Sequence, residues 1–144
     1  PTLTFEASRD FVLARKTRIR PFIEVQAGAE TLARIGADVT FGGLGRESLL
    51  LRDAGTGQRY VGVAGNDLRG LSLILGGDIA YVADSRYLAT PGIATKDLRT
   101  RLRAGYHRGW RNGGIFYGVT YLGKEFEAQR EGQLTGSVAL RLQF

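Results

Sequence analysis

The chain has 144 residues, with 20 lysines and arginines against 14 aspartates and glutamates, and no cysteine. That length allows a single domain, 1–144, or a piece of one. The missing cysteines exclude disulfides and thiolate chemistry, and no run of about 18 apolar residues exists to make a transmembrane helix.

The charge of +6 and the pI near 10.1 suit a polyanionic partner. The arginines are spread along alternating stretches instead of clustering on one helix, and no nucleic-acid motif is present, so nucleic acid is set aside. An anionic membrane surface rich in lipid phosphates fits the same charge. The chain opens on Pro1 without an initiator methionine or a signal-peptide pattern, so it is expected to be processed, engineered or a fragment.

Taken in order, the chain alternates apolar and polar residues, the pattern of a strand with two unlike faces. In TLTFEASRDFVL, Leu3, Phe5 and Ala7 point one way and Thr4, Glu6, Ser8 and Asp10 the other. Residues 14–17 read as a short polar turn. RIRPFIEVQAG places Ile19, Pro21, Ile23, Val25 and Ala27 on one face, and Arg18, Arg20, Phe22, Glu24 and Gln26 on the other. Pro21 has no N–H, which predicts a strand end or a bulge. ARIGADVTF sends Ala33, Ile35, Ala37, Val39 and Phe41 outward and Arg34, Gly36, Asp38 and Thr40 inward.

Residues 43–68 break the alternation. Their GG, GTG and GND signals predict a long connection, with room for a hairpin turning at Gly55-Thr56-Gly57. Gly43-Leu44-Gly45 lacks the third glycine and the lysine of a phosphate loop, so it reads as a turn.

LSLILGGDIAYV resumes the pattern, with Leu71, Leu73, Leu75, Ile79 and Tyr81 outward and Ser72, Gly76, Asp78 and Ala80 inward. A loop is expected at 84–95. In DLRTRLRAGYH, Leu98, Thr100, Leu102, Ala104 and Tyr106 alternate with Arg99, Arg101, Arg103, Gly105 and His107. Three arginines on one face cannot lie in a dry core without partners. They suit a wet lumen that faces Asp78, Asp38, Glu24 and Glu6.

An Asn-Gly hairpin signal follows at Asn112-Gly113. Trp110 and Tyr106 beside it suit an interfacial aromatic girdle. IFYGVTYLGKEF sends Ile115, Tyr117, Val119 and Tyr121 outward. TGSVALRLQF closes the chain, with Val138, Leu140, Leu142 and Phe144 on one side and Ser137, Ala139, Arg141 and Gln143 on the other.

About seven strands of roughly 9–13 residues match the length needed to cross a bilayer at a tilt. The expected fold is therefore all-β, an antiparallel up-and-down transmembrane β-barrel in the bacterial outer membrane. A soluble barrel or sandwich would have shorter strands and a polar outside. With the C-terminus in the periplasm, the turns at 14–17 and 108–114 and the connection 43–68 are periplasmic, and the loops 84–95 and 127–132 are extracellular. Seven strands leave two open edges, which lipid does not tolerate. The chain is thus expected to be the C-terminal part of a larger barrel whose missing strands precede Pro1.

The run LGKEFEAQREGQLTGSVALRLQF resembles the C-terminal hairpin of the lipid A 3′-O-deacylase family of outer-membrane barrels, through Glu125, Phe126, Gln129 and Phe144. PFIEVQAGAETLARIGADVTFG and LGGDIAYVADSRYL are similar to middle and late strands of that family. The resemblance implies a twelve-stranded barrel and an esterase that removes an acyl chain of lipid A, with calcium as cofactor. It implies lipid A or lipopolysaccharide, the bilayer and the barrel assembly machinery as partners, the last through the C-terminal strand. The family's catalytic histidine, hydroxyl residue and Asn-Asp element have no match here and are expected upstream of Pro1. The chain is then mainly barrel wall, inactive by itself.

Three constellations remain. His107 is the sole histidine; its neighbours Arg103 and Arg108 offer no carboxylate to orient a general base, so it reads as structural or interfacial. Asp38, Asp78, Arg99, Arg101 and Arg103 read as a structural ladder of lumen charge, with a substrate groove as the alternative. The carboxylates are not clustered as a calcium site needs. Arg86 and Lys96, on a predicted outer loop, could meet lipopolysaccharide phosphates or only solvent. The alternatives to an enzyme are a non-enzymatic barrel, either pore or structural envelope protein, and a soluble ligand-binding barrel.

Overall fold

The computed structural model describes residues 1–85, 97–126 and 129–142, apart from the side chains of Asp67 and Ser85. The predicted loop 84–95, with Arg86, lies outside these residues except for Asp84 and Ser85; Lys96 and Phe144 lie outside them too. Among the described residues, regular structure consists of ten strands and one 3-10 turn, Asn66–Leu68. The strands are β1 (Leu3–Ser8), β2 (Phe11–Ala14), β3 (Thr17–Ala27), β4 (Glu30–Phe41), β5 (Leu49–Arg52), β6 (Arg59–Val63), β7 (Gly70–Ser85), β8 (Leu98–Trp110), β9 (Gly113–Leu122) and β10 (Gln133–Leu142).

β1 and β2 are one wall strand with a break. Both pair with β3, in the same register on either side of Arg9 and Asp10. Arg9 donates its backbone N–H to the Pro21 carbonyl at 3.3 Å. Pro21 therefore turns its missing N–H toward this same edge, and the ladder fails there. The interruption predicted from Pro21 falls in the neighbouring strand, while β3 runs through the proline unbroken.

The wall is thus an up-and-down antiparallel sheet in the order β1/β2-β3-β4-β7-β8-β9-β10. Two-residue turns join several neighbours. Arg15-Lys16 links β2 to β3, and Gly28-Ala29 links β3 to β4. The turn after β8 centres on Arg111-Asn112, because Trp110 pairs with Gly113. It lies one residue ahead of the predicted Asn-Gly pair, and no non-glycine residue has a positive φ there. One row of partners runs Thr17, Phe41, Leu73, Tyr106, Tyr117, Val138. Thr17 and Phe41 end their strands, whereas β8 and β10 run four residues past the row. This stagger is what tilted barrel strands produce.

The two faces are unlike. Outward positions stay apolar and open: Leu75, Ile79, Leu98, Leu102, Val119 and Leu140 are 48–62 % exposed. Inward positions are buried and mostly polar, including Glu24, Asp38, Asp78, Arg101, Arg103, His107 and Thr120. No second layer of described residues covers the apolar side. A contiguous apolar surface of this extent belongs against hydrocarbon instead of water.

What fills the inside is the segment between β4 and β7. β5 and β6 pair as a separate hairpin that lies against the inward face of the wall. Its root packs there through Leu44, Leu50, Leu68, Ile74 and Phe116, with Val61 against them. The adjacent hairpin residues Gln58 and Arg59 reach Thr120 on β9 and Glu6 on β1, at 3.2 and 2.8 Å. In a flat sheet those strands would lie five spacings, roughly 24 Å, apart. The wall therefore curls around the hairpin.

Because Leu102 sits near the middle of β8 on the outer face, Leu102→Arg separates a lipid-facing wall from a water-facing one. Facing lipid, it should lower unfolding free energy in bilayers by about 2–4 kcal/mol; facing water, the change should stay within about 0.5 kcal/mol. Denaturant titration of the protein folded in vesicles measures the difference.

Candidate functional site

Register explains how charge is brought together inside. Asp38 on β4, Gly76 on β7 and Arg103 on β8 are consecutive cross-strand partners. Inward side chains of neighbouring strands stand side by side, and Gly76 leaves the gap across which the outer two meet. A Cβ at Gly76 would lie 2.2 Å from Asp38 Oδ1. Arg103 donates Nε and Nη2 to Asp38 Oδ1 at 2.8 and 2.5 Å.

The hairpin supplies the other partners of Asp38. Arg59 Nε and Arg52 Nη2 donate to Asp38 Oδ2 at 2.9 and 3.0 Å. The same two arginines bind Glu6, each at 2.8 Å. Arg52 also lies 3.6 Å from the Phe22 ring centroid, a cation–π contact. Asp38 is 3 % exposed and holds three guanidinium groups.

A second node is Asp78. Arg101 Nε donates to it at 2.9 Å, and Arg103 Nη1 pairs with its other oxygen. Arg34 Nε approaches to 3.2 Å, and Arg34 also pairs with Glu24. Arg99 pairs with Glu30 at 2.8 Å, while Arg18 and Arg20 share Asp10. Among the described residues, five arginines (Arg34, Arg52, Arg59, Arg101 and Arg103) and four carboxylates (Glu6, Glu24, Asp38 and Asp78) thus form one connected set, with Arg99–Glu30 and Arg18/Arg20–Asp10 as separate pairs beside it. Of the lumen ladder, Asp38, Asp78, Arg101 and Arg103 are joined by ion pairs, while Arg99 pairs with Glu30 instead. Sequence reading missed Arg52 and Arg59, because hairpin residues carry no wall periodicity to mark their direction.

Backbone groups complete the fit. Gln58 Nε2 donates to the Ala104 and Val119 carbonyls, both at 3.1 Å, and to Thr120 Oγ1 at 3.2 Å. Arg101 Nη1 donates to the Ala54 and Gly55 carbonyls at the hairpin tip, at 2.9 and 3.2 Å. Gly57 has φ +71°, and a Cβ there would lie 3.0 Å from Arg101 Cζ. At the root, Arg18 Nη1 donates to the Gly45 carbonyl at 2.7 Å, and Nη2 to that of Leu44. Gly43-Leu44-Gly45 is thus part of the turn that anchors the hairpin.

His107 is buried at the root end. Its cross-strand partners are Ser72 and Phe116, so no carboxylate flanks it along the sheet. Glu125, Phe126 and Gln129 lie at the opposite end, between β9 and β10. The Glu125 N–H donates to Gln129 Oε1 at 2.8 Å and the Gln129 N–H to the Phe126 carbonyl at 3.2 Å. They form a local turn far from His107.

Calcium takes six to eight oxygen ligands. Among the described residues no three His, Asp or Glu side chains are grouped to hold a metal, and the six lumen carboxylates are already engaged by guanidinium groups. The residues of this chain that the structure describes do not fit the ion.

No family model matches the sequence, and no curated protein matches it. Among solved structures, the fold is similar to LpxR from Salmonella typhimurium, a lipid A 3′-O-deacylase. The TM-score is 0.77 over 99 % of this chain, at 12 % sequence identity. The match spans 52 % of the LpxR chain, so this chain covers about half of that barrel's length. The likeness to the deacylase barrel holds at the level of fold.

Two outcomes follow from the network. Asp38→Ala removes the buried carboxylate shared by three guanidinium groups and should cost about 3–5 kcal/mol. Asp10→Ala removes half-exposed pairs and should cost about 1 kcal/mol or less. Denaturant unfolding in detergent micelles compares the two. The second concerns the hairpin tip, where Asp53 Oδ1 accepts the Thr56 N–H and hydroxyl, both at 2.7 Å. Hydrogen bonds from the Thr56 backbone N–H and then its hydroxyl hold the Asp53 carboxyl below its usual range. A depressed carboxylate stabilises above the unfolded value of about 3.9, and that contribution is lost as pH falls through the folded value. The Thr56 amide resonance should therefore titrate with a midpoint below that of a free aspartate. A midpoint at or above it would contradict the capped turn.

Proposed function

We propose that this chain is wall and lumen filling of an outer-membrane barrel of the lipid A deacylase type. On this reading the whole protein hydrolyses an acyl ester of lipid A in the outer leaflet. The observation that carries it is the shared fold, which extends over nearly the whole chain. It is supported by the apolar outer face and by alternating β10, whose Val138, Leu140 and Leu142 suit a strand handled by the barrel assembly machinery. Lipopolysaccharide, the bilayer and that machinery are the partners of the proposal.

On this reading the nucleophile and its base belong to the rest of the whole protein and are assigned to no residue here. Calcium belongs to the proposal only through ligands other than the lumen carboxylates. What this chain contributes is rigidity and exclusion. The β5–β6 hairpin and the ion pairs around Asp38 and Asp78 occupy the inside of the wall, so a lipid substrate would be met from the membrane side or the rim.

One observation favours a second reading. The interior is filled by paired charge without a catalytic set among the described residues, as in a barrel kept for structure. The pore variant of that reading sits poorly with the same hairpin, which reaches from its root to Arg101 on β8.

Acyl release from purified lipid A by the folded, full-length gene product, with and without a calcium chelator, decides between enzyme and structural barrel. Release is expected; none from a folded protein would remove the enzyme reading and leave the barrel intact. In planar bilayers the intact protein should show no open-pore conductance. Removal of residues 46–64 should create it, unless the hairpin is not the obstruction.

A further inference from the structure

Charge outside the lumen is distributed unevenly between the two rims of the wall. The rim that holds the hairpin root comprises 14–17, 42–48, 64–69, 108–112 and the end of β10. Its sequence contains seven lysines and arginines against Glu47 and Asp67. At the other rim, Lys124 and Arg130 face Asp84, Asp97, Glu125 and Glu131 among the described residues. Arginine in the lumen is matched by carboxylates; arginine at the root rim is not. The side chains of Arg69, Arg111 and Arg141 make no ion pair or hydrogen bond among the described residues. All three line one polar hollow, together with Asn66 and Trp110.

The level of this hollow is fixed by its neighbours on the outer face. Arg108 alternates with Tyr106 and Trp110 on the outward side of β8, and it is exposed between Leu71 and Ile115, its cross-strand partners. A cation on the lipid side costs about 2–4 kcal/mol at mid-bilayer and close to nothing at the interface. Arg108 must therefore stand at headgroup depth. Trp110, 43 % exposed two residues further along, has the amphipathic ring that settles at that depth. Three unpaired guanidinium groups and a tryptophan are thus presented where lipid phosphates lie.

We propose that the hollow between Trp110, Arg69, Arg111 and Arg141 is a binding site for the phosphate of an anionic phospholipid headgroup. Guanidinium groups bind phosphate through forked donors, and Asn66 adds an amide for the headgroup's hydroxyls. Arg15, Lys16 and Arg108, whose side chains make no ion pair among the described residues, extend attraction for the same leaflet around the rim. The site rests on the membrane reading of the fold and does not depend on the deacylase reading.

Trp110 is the only tryptophan in the chain, so its fluorescence reports on the hollow directly. The protein is folded into phosphatidylcholine bilayers that contain a minor fraction of lipid brominated near the headgroup. Brominated phosphatidylglycerol should quench Trp110 at about one fifth of the mole fraction that brominated phosphatidylcholine needs, the preference one cation's attraction to an anionic surface supplies. The preference should fall with salt and approach one in Arg69→Gln/Arg111→Gln/Arg141→Gln. Should the triple variant fail to fold, Arg141→Gln alone gives the comparison, with a smaller loss.

Equal quenching by the two lipids in the unmodified protein would overturn the proposal. A preference that survives in the variants would overturn its placement in this hollow. Loss of the preference on adding millimolar inorganic phosphate at constant ionic strength would make the hollow a free-phosphate site. No quenching by either lipid would instead overturn the membrane reading itself.

Discussion

Asp38 and Arg103 meet across Gly76, and most of the interior follows from that contact. Two charges taken out of water tolerate each other only with near-ideal geometry and with their remaining lone pairs and protons satisfied. Arg103 therefore also binds Asp78, and Asp38 also binds Arg52 and Arg59. Each added partner brings another charge with the same requirement. The chain of obligations runs outward to Glu6 on β1 and, through Arg34, to Glu24 on β3. Such a network is weak evidence for stability against an apolar equivalent. Its effect is selective: few other arrangements of these strands would satisfy so many guanidinium groups together.

The outer and inner faces obey opposite solvents. Leucines on the outside gain nothing from contact with one another in hydrocarbon, so they impose little registry. Registry comes from the inside, where Asp78 stands opposite both Gly36 and Arg101 and a slip of one residue would turn Arg99, Arg101 and Arg103 toward lipid. The wall is held in place by the polar minority of its residues. The hairpin takes part because it brings two of the five connected guanidinium groups and, through Gln58, caps carbonyls on β8 and β9.

Much of the wall could be read from the sequence, because a period of two persists through 10–13 residues at a time. Leu98 to His107 is the clearest case: three arginines in alternate positions leave one face that must be wet or paired. The direction of Asp38 and Asp78 followed from the same periodicity. Residues 43–68 could be read only as an interruption with turns. β5 and β6 have four and five residues, too few to show which way Arg52 and Arg59 face. Their direction is set by tertiary contact with Glu6 and Asp38, partners 46 and 21 positions away in the chain. The hollow beside Trp110 was hidden for a similar reason, since Arg69, Arg111 and Arg141 come from three separate places in the chain.

Gln58 and Arg59 hold the two flanks of the curled wall from adjacent positions on one short hairpin. The hairpin is tethered at both ends between strands that are themselves neighbours, β4 and β7. It behaves as a mandrel: the radius to which the sheet bends is set by the reach of those two side chains. The order of events during folding is constrained accordingly. The strands can pair edge to edge without the hairpin, but their final bend and the seating of the hairpin occur as one step.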